Sequence, residues 1–120
     1  MDILANVLVG LVAALHLYIL VMEMFLWQKP PGMSFHGFDA ELAKRTASMA
    51  ANQGLYNGFL AAGLVWGLVA ADPTGFRAQV FFLSCVIVAG VYGAVTANRR
   101  ILVAQALPGA IALAAVLIAQ

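Results

Sequence analysis

The sequence predicts an all-α polytopic membrane protein, four transmembrane helices in an up-down-up-down bundle, and three observations carry that prediction. Of the 120 residues, 64% are hydrophobic and 9% charged, against about 45–50% and about 25% in an ordinary soluble domain. Four apolar runs each approach the roughly 20 residues a helix needs to cross a bilayer. Five of the six basic residues fall in the connections after the first and third runs. A soluble chain this short keeps much of its surface in water and has no place to hide so much apolar area, so the lipid bilayer is the expected partner. The length fits one domain, residues 1–120.

The first span is expected over 3–27. Met1-Asp2 brings an acid where a signal peptide carries basic residues, so this run reads as a retained helix. Pro30-Pro31-Gly32 stops it, because proline removes a donor and restrains its neighbour. Asp39 then reads as an N-cap, with Glu41 in the first turn and Lys44-Arg45 beyond, which predicts a short amphipathic segment over 39–48. The second span follows over 49–71. Asp72-Pro73-Thr74-Gly75 reads as a tight turn, the third span covers 78–97, and Asn98-Arg99-Arg100 is a minimal connection to the last, over 101–119.

Orientation follows from the basic residues. Lys29, Lys44, Arg45, Arg99 and Arg100 lie on one side and Arg77 on the other. The positive-inside rule therefore places loops 28–48 and 98–100 in the cytoplasm and both termini outside the inner (plasma) membrane. Gly54, Gly58, Gly63 and Gly67, with Ala89, Gly93 and Ala97, give small-xxx-small spacings suited to close helix approach. Packing within the chain is the first reading of that spacing and a homo-oligomer the second.

The polar groups are not scattered. His16 and Glu23, seven residues apart, share a helical stripe with Val9, Val12 and Trp27, separated by roughly 10 Å along the axis. Asn52, Gln53, Tyr56 and Asn57 open the second span on one side, Tyr92 and Thr96 close the third, and Gln105 precedes helix-distorting Pro108 in the fourth. The depths of these residues predict a cup in the cytoplasmic half of the bundle. Its ligand-binding candidates are His16, Glu23, Asn52, Gln53, Tyr56, Asn57, Tyr92 and Gln105. Glu23 is the sharpest of them, since a charged residue inside a membrane costs about 2.5–3.5 kcal/mol on insertion scales and usually faces the interior.

Several stretches also match a known pattern. Glu23–Trp27 reads EMFLW, Ala51–Leu64 reads ANQGLYNGFLAAGL, Cys85–Ala94 reads CVIVAGVYGA and Gln105–Gly109 reads QALPG. In this order they resemble a family of small bacterial membrane proteins catalogued as domain of unknown function 1304. The resemblance covers essentially the whole chain and implies a four-helix integral membrane protein. It brings no activity and no catalytic residue with it.

Other groups carry plainer readings. Trp27 and Trp66 are expected as interfacial anchors, Cys85 as a small hydrophobe, and His36, Lys44 and Arg45 as a solvated or headgroup-facing surface. One His and one distant Glu supply neither ligand count nor spacing for a metal, and no cofactor is called for. No G-x-S-x-G, P-loop or H-E-x-x-H motif is present, nor a basic stretch for nucleic acid.

Three functional classes follow. The first is binding or transport of a small lipophilic or cationic molecule, with Glu23 exchanging a proton. The second is a membrane-embedded enzyme of the proton-transfer isomerase type. There Glu23 or His16 moves the proton, and the amides with Tyr56 stabilise developing charge. The third is a structural or accessory subunit whose polar groups set packing alone. The converging polar faces favour the first.

Overall fold

The computed structural model describes residues 2–120, and among them every regular element is helical. Helix α1 spans Ile3–Met24, α2 Pro30–His36, α3 Ala40–Val69 and α4 Thr74–Thr96. A π-helical turn, Leu102–Ala106, then runs into α5, Leu107–Ile118. The chain forms two compact units, Met1–Ala14 with Leu60–Gln120, and Leu15–Phe59.

Local chemistry fixes most of these boundaries. Asp2 starts α1, its Oδ1 accepting the Leu4 and Ala5 amides at 2.8 and 3.3 Å. Asp39 caps α3 as expected, accepting the Leu42 amide at 2.8 Å. The turn before α4 contains a cis Asp72–Pro73 bond, and Asp72 Oδ1 accepts the Phe76 amide. Asn98 Oδ1 accepts the Arg100 amide at 2.9 Å, closing the short connection after α4.

Three boundaries differ from the sequence reading. First, α1 ends at Met24 rather than at Trp27. Second, Pro30-Pro31-Gly32 does not serve as a stop; it opens α2, since a proline at the first helical position gives up only an amide that would have had no helical partner. Third, the segment 39–48 and the second span form one unbroken 30-residue helix, α3. The chain between Thr46 and Asn52 holds no proline or glycine to interrupt it.

Two helices, α1 and α4, are long and apolar enough to cross a membrane. Their 22 and 23 residues reach about 33–35 Å at 1.5 Å per residue. In α3 the run Asn52, Gln53, Tyr56, Asn57 dilutes the apolar character. Leu102–Ile118 is apolar but shorter. It is also irregular: the Pro108 ring opposes the carbonyl four residues back, and the wide turn Leu102–Ala106 precedes it.

Side chains from four helices form the core of the first unit. Val9 and Val12 come from α1, Leu64 from α3, Leu83 and Val86 from α4, and Ala112 and Val116 from α5. Gln79 is buried beside them, its Nε2 donating to the Gly67 carbonyl at 2.8 Å. Helix α4 closes on the π turn at Gly90, where a Cβ would lie 2.7 Å from the Ala106 backbone nitrogen.

Backbone crowding predicts opposite effects for two glycine-to-alanine changes. Gly90→Ala forces α4 off the π turn and lowers the thermal unfolding midpoint in detergent. Gly10→Ala, whose Cβ meets nothing within 4 Å, is neutral or stabilises by up to about 1 kcal/mol through helix propensity. Equal midpoints for both variants would contradict this packing.

Candidate functional site

The site is built where α1 ends and α3 passes through its middle, within the unit Leu15–Phe59. On α1 the predicted stripe runs as far as Glu23, while Trp27, expected on it, lies beyond the end of the helix. Val9 and Val12 are buried, His16 is fully buried, and Glu23, in the last turn, is half-buried. On α3 the buried positions include Ala43, Ala50, Gly54, Asn57, Ala61 and Leu64. Their spacing of three, four and seven residues traces one narrow stripe, made almost wholly of small residues. At Gly54 a Cβ would fall 2.6 Å from Met24 Cγ and 3.1 Å from Glu23 Cβ, so the two helices approach closely there.

That approach creates the central contact. Asn57 Nδ2 donates to Glu23 Oε1 at 2.6 Å and also reaches the Gln53 carbonyl at 3.3 Å. The short distance is that of a charge-assisted or strongly polarised hydrogen bond. Asn57 is 7% exposed, so its amide belongs to the packed stripe and cannot swing into solvent. Glu23 also lines an open cleft of about 390 Å³, together with Met24, Phe25, Trp27, Gln28, Lys29 and Ala47. One residue thus accepts from a buried amide and borders open space.

The eight candidates separate. Glu23 and Asn57 are brought together, and His16 is buried on the same stripe as Glu23. Asn52, Gln53 and Tyr56 are exposed, which corrects the expectation that all four polar groups of that stretch turn inward. The reason is geometric: Ala50, Gly54 and Asn57 already occupy the close-packed face, and Asn52, Gln53 and Tyr56 are rotated away from it. Tyr92, 70% exposed, is likewise turned outward. Tyr92 and half-buried Gln105 belong to the first unit. Among the described residues no three of His, Cys, Asp and Glu gather to hold a metal ion.

The cleft also includes residues that the sequence reading left out. Trp27 and Lys29 lie on its wall; the first was expected only as an interfacial anchor, the second only as a topological charge.

An all-α chain with two membrane-length apolar helices and an acid–amide pair between helices is the class these features define. The chain belongs to the family described as protein of unknown function (DUF1304), which matches residues 10–117. It is similar to the uncharacterized protein YpaA of Lactococcus lactis subsp. lactis (strain IL1403), 27% identical over 107 residues, 88% of this chain and 89% of that protein. No solved structure matches the chain.

The hydrogen bond predicts non-additive stability. A double-mutant cycle with Glu23→Ala and Asn57→Ala, read by unfolding in detergent, gives a coupling of about 0.5–2 kcal/mol. The same cycle with Asn52→Ala in place of Asn57→Ala gives none. Additivity in both cycles would contradict the contact.

Proposed function

We propose that the chain is an integral membrane protein of four spans whose cytoplasm-facing cleft binds a small lipophilic cation in exchange for a proton at Glu23. In this reading α1, the later part of α3, α4 and the π turn with α5 cross the inner membrane as an up-down-up-down bundle. Both termini lie outside and the Lys- and Arg-bearing connections lie in the cytoplasm.

The polarity of the fold supports the membrane. Val69, Val95 and Ile118 are 77, 80 and 82% exposed, while His16, Asn57 and Gln79 are buried. Aliphatic side chains outside and amides inside suit a hydrocarbon solvent. The observation that carries the ligand reading is Glu23, held by Asn57 and lining a cleft of about 390 Å³. Met24, Phe25 and Trp27 on the same wall offer polarisable and aromatic faces to a delocalised cation. An enzyme using His16 as its base draws no support from that residue's complete burial.

The acid–amide bond itself favours a second reading, an accessory subunit in which Glu23 and Asn57 only tie α1 to α3. One titration separates the two. Tetraphenylphosphonium added to purified protein in weakly buffered detergent releases about one proton per chain, and Glu23→Gln abolishes the release. Equal release from the variant, or none from either protein, would contradict the exchange and leave the accessory reading.

A further inference from the structure

A second cavity, of about 100 Å³, lies within the unit Met1–Ala14 with Leu60–Gln120, where the start of α1, the turn before α4 and the end of α5 meet. Two carboxylates, Asp2 and Asp72, are on its wall. Each is already oriented by the helix it caps. Asp2 Oδ1 accepts the Leu4 and Ala5 amides, and Asp72 Oδ1 accepts the Phe76 amide. These bonds engage one oxygen of each carboxylate and leave the second, Oδ2, available.

Gln79 supplies an independent sign that the cavity is a site. Its side chain is 8% exposed and lines the same wall. Its Nε2 donates to the Gly67 carbonyl at 2.8 Å. A carbonyl only accepts, so this bond fixes the nitrogen on the Gly67 side and turns Oε1 away from it. No described residue donates to Oε1. Yet among the described residues no fully enclosed side-chain oxygen or nitrogen lacks a partner. Gln79 Oε1 is therefore not enclosed; it opens onto the cavity its residue lines.

The chemistry of the wall selects the ligand. Hard cations take carboxylate and carboxamide oxygens together and complete their shell with water. Asp2, Asp72 and Gln79 offer three such oxygens, and half-buried Asn6, one turn after Asp2, brings a further carboxamide. The wall has neither thiolate nor imidazole, the ligands that softer metals prefer. The last turn of α5 ends beside it, and the final carbonyls of a helix lack helical donors and carry the negative end of its dipole. Arg77, the basic residue nearest Asp72 in the chain, is exposed and takes no part in the wall. The volume suits one ion and a few waters, each of which fills about 30 Å³.

We propose that this cavity binds a hard divalent cation such as Ca²⁺, held by Asp2, Asp72 and Gln79 Oε1, which ties the start of α1 to the turn before α4. The two carboxylate charges balance the ion's charge. With so few protein ligands the affinity is modest, with a Kd of about 10⁻⁴–10⁻³ M. In the topology proposed above the site faces outward, but it involves no residue of the Glu23 cleft.

The test titrates CaCl₂ into chelator-treated full-length protein in detergent at fixed ionic strength, followed by calorimetry. One ion binds per chain. Asp2→Asn and Asp72→Asn each keep a capping oxygen but remove a charge, and each weakens binding by about tenfold or more. Asp39→Asn, which alters a capping acid outside this cavity, leaves the affinity unchanged. In a thermal melt Ca²⁺ raises the midpoint of the unaltered protein and not that of Asp72→Asn. No binding up to about 10 mM Ca²⁺, tenfold above the weakest Kd expected, would overturn the site. Binding that persists in both Asp2→Asn and Asp72→Asn, or that weakens equally in Asp39→Asn, would also overturn it. None of these outcomes depends on whether tetraphenylphosphonium displaces a proton from Glu23.

Discussion

Everything distinctive about this chain depends on an asparagine amide meeting a glutamate carboxyl between two apolar helices. An acid in such a place must find a donor or be driven out of the packing. Asn57 supplies that donor at 2.6 Å, but only because its neighbours on α3 are small. Ala50 and Gly54 bring α3 near enough to the end of α1 for a short amide side chain to bridge the gap. The sequence of α3 thus sets the helix distance, and the distance sets the bond.

The same inversion of ordinary polarity runs through the rest of the fold. Buried Gln79 holds the Gly67 carbonyl, and His16 is fully buried on the stripe that ends at Glu23. Meanwhile the outward faces of α1, α4 and α5 are largely apolar. In water this arrangement would expose too much apolar area and bury too many dipoles. In a hydrocarbon solvent both features are favourable, since interior amides satisfy one another where lipid offers no hydrogen bonds. Where the two polarities meet, at residues 25–39, the chain becomes irregular and aromatic, and Trp27, His36 and Phe38 cluster there.

Much of the helical pattern was legible from the residues. The runs of apolar residues marked α1 and α4, Asp39 marked the start of α3, and the seven-residue spacing of His16 and Glu23 placed them on one stripe. Position along a helix was readable, but rotation about it was not. Asn52, Gln53 and Tyr56 lie within about a turn of Asn57 along α3 but at the wrong azimuth, because the alanine and glycine stripe decides which face packs. A count of polar groups gives those small residues no weight. The short helix α2 was hidden for another reason. Pro30-Pro31 ends one helix as well as it begins another, and only the Gly37 turn with its returning Phe38 amide distinguishes the two. Likewise the close approach at Gly90 and the π turn before Pro108 are properties of two helices together, which neither segment announces alone.

The most direct test of the central claim is the reactivity of the five acids toward carbodiimides of different solubility in native membranes, read by mass spectrometry. If Glu23 is held in the apolar layer beside Asn57, dicyclohexylcarbodiimide modifies it and leaves Asp2, Asp39, Glu41 and Asp72 largely untouched. A water-soluble carbodiimide reacts first with exposed Asp39 and Glu41 and reaches Glu23 only slowly, by way of the cleft. Modification of Glu23 by the water-soluble reagent, at a rate like that of exposed Asp39 and Glu41, would place this acid in solvent and contradict the account.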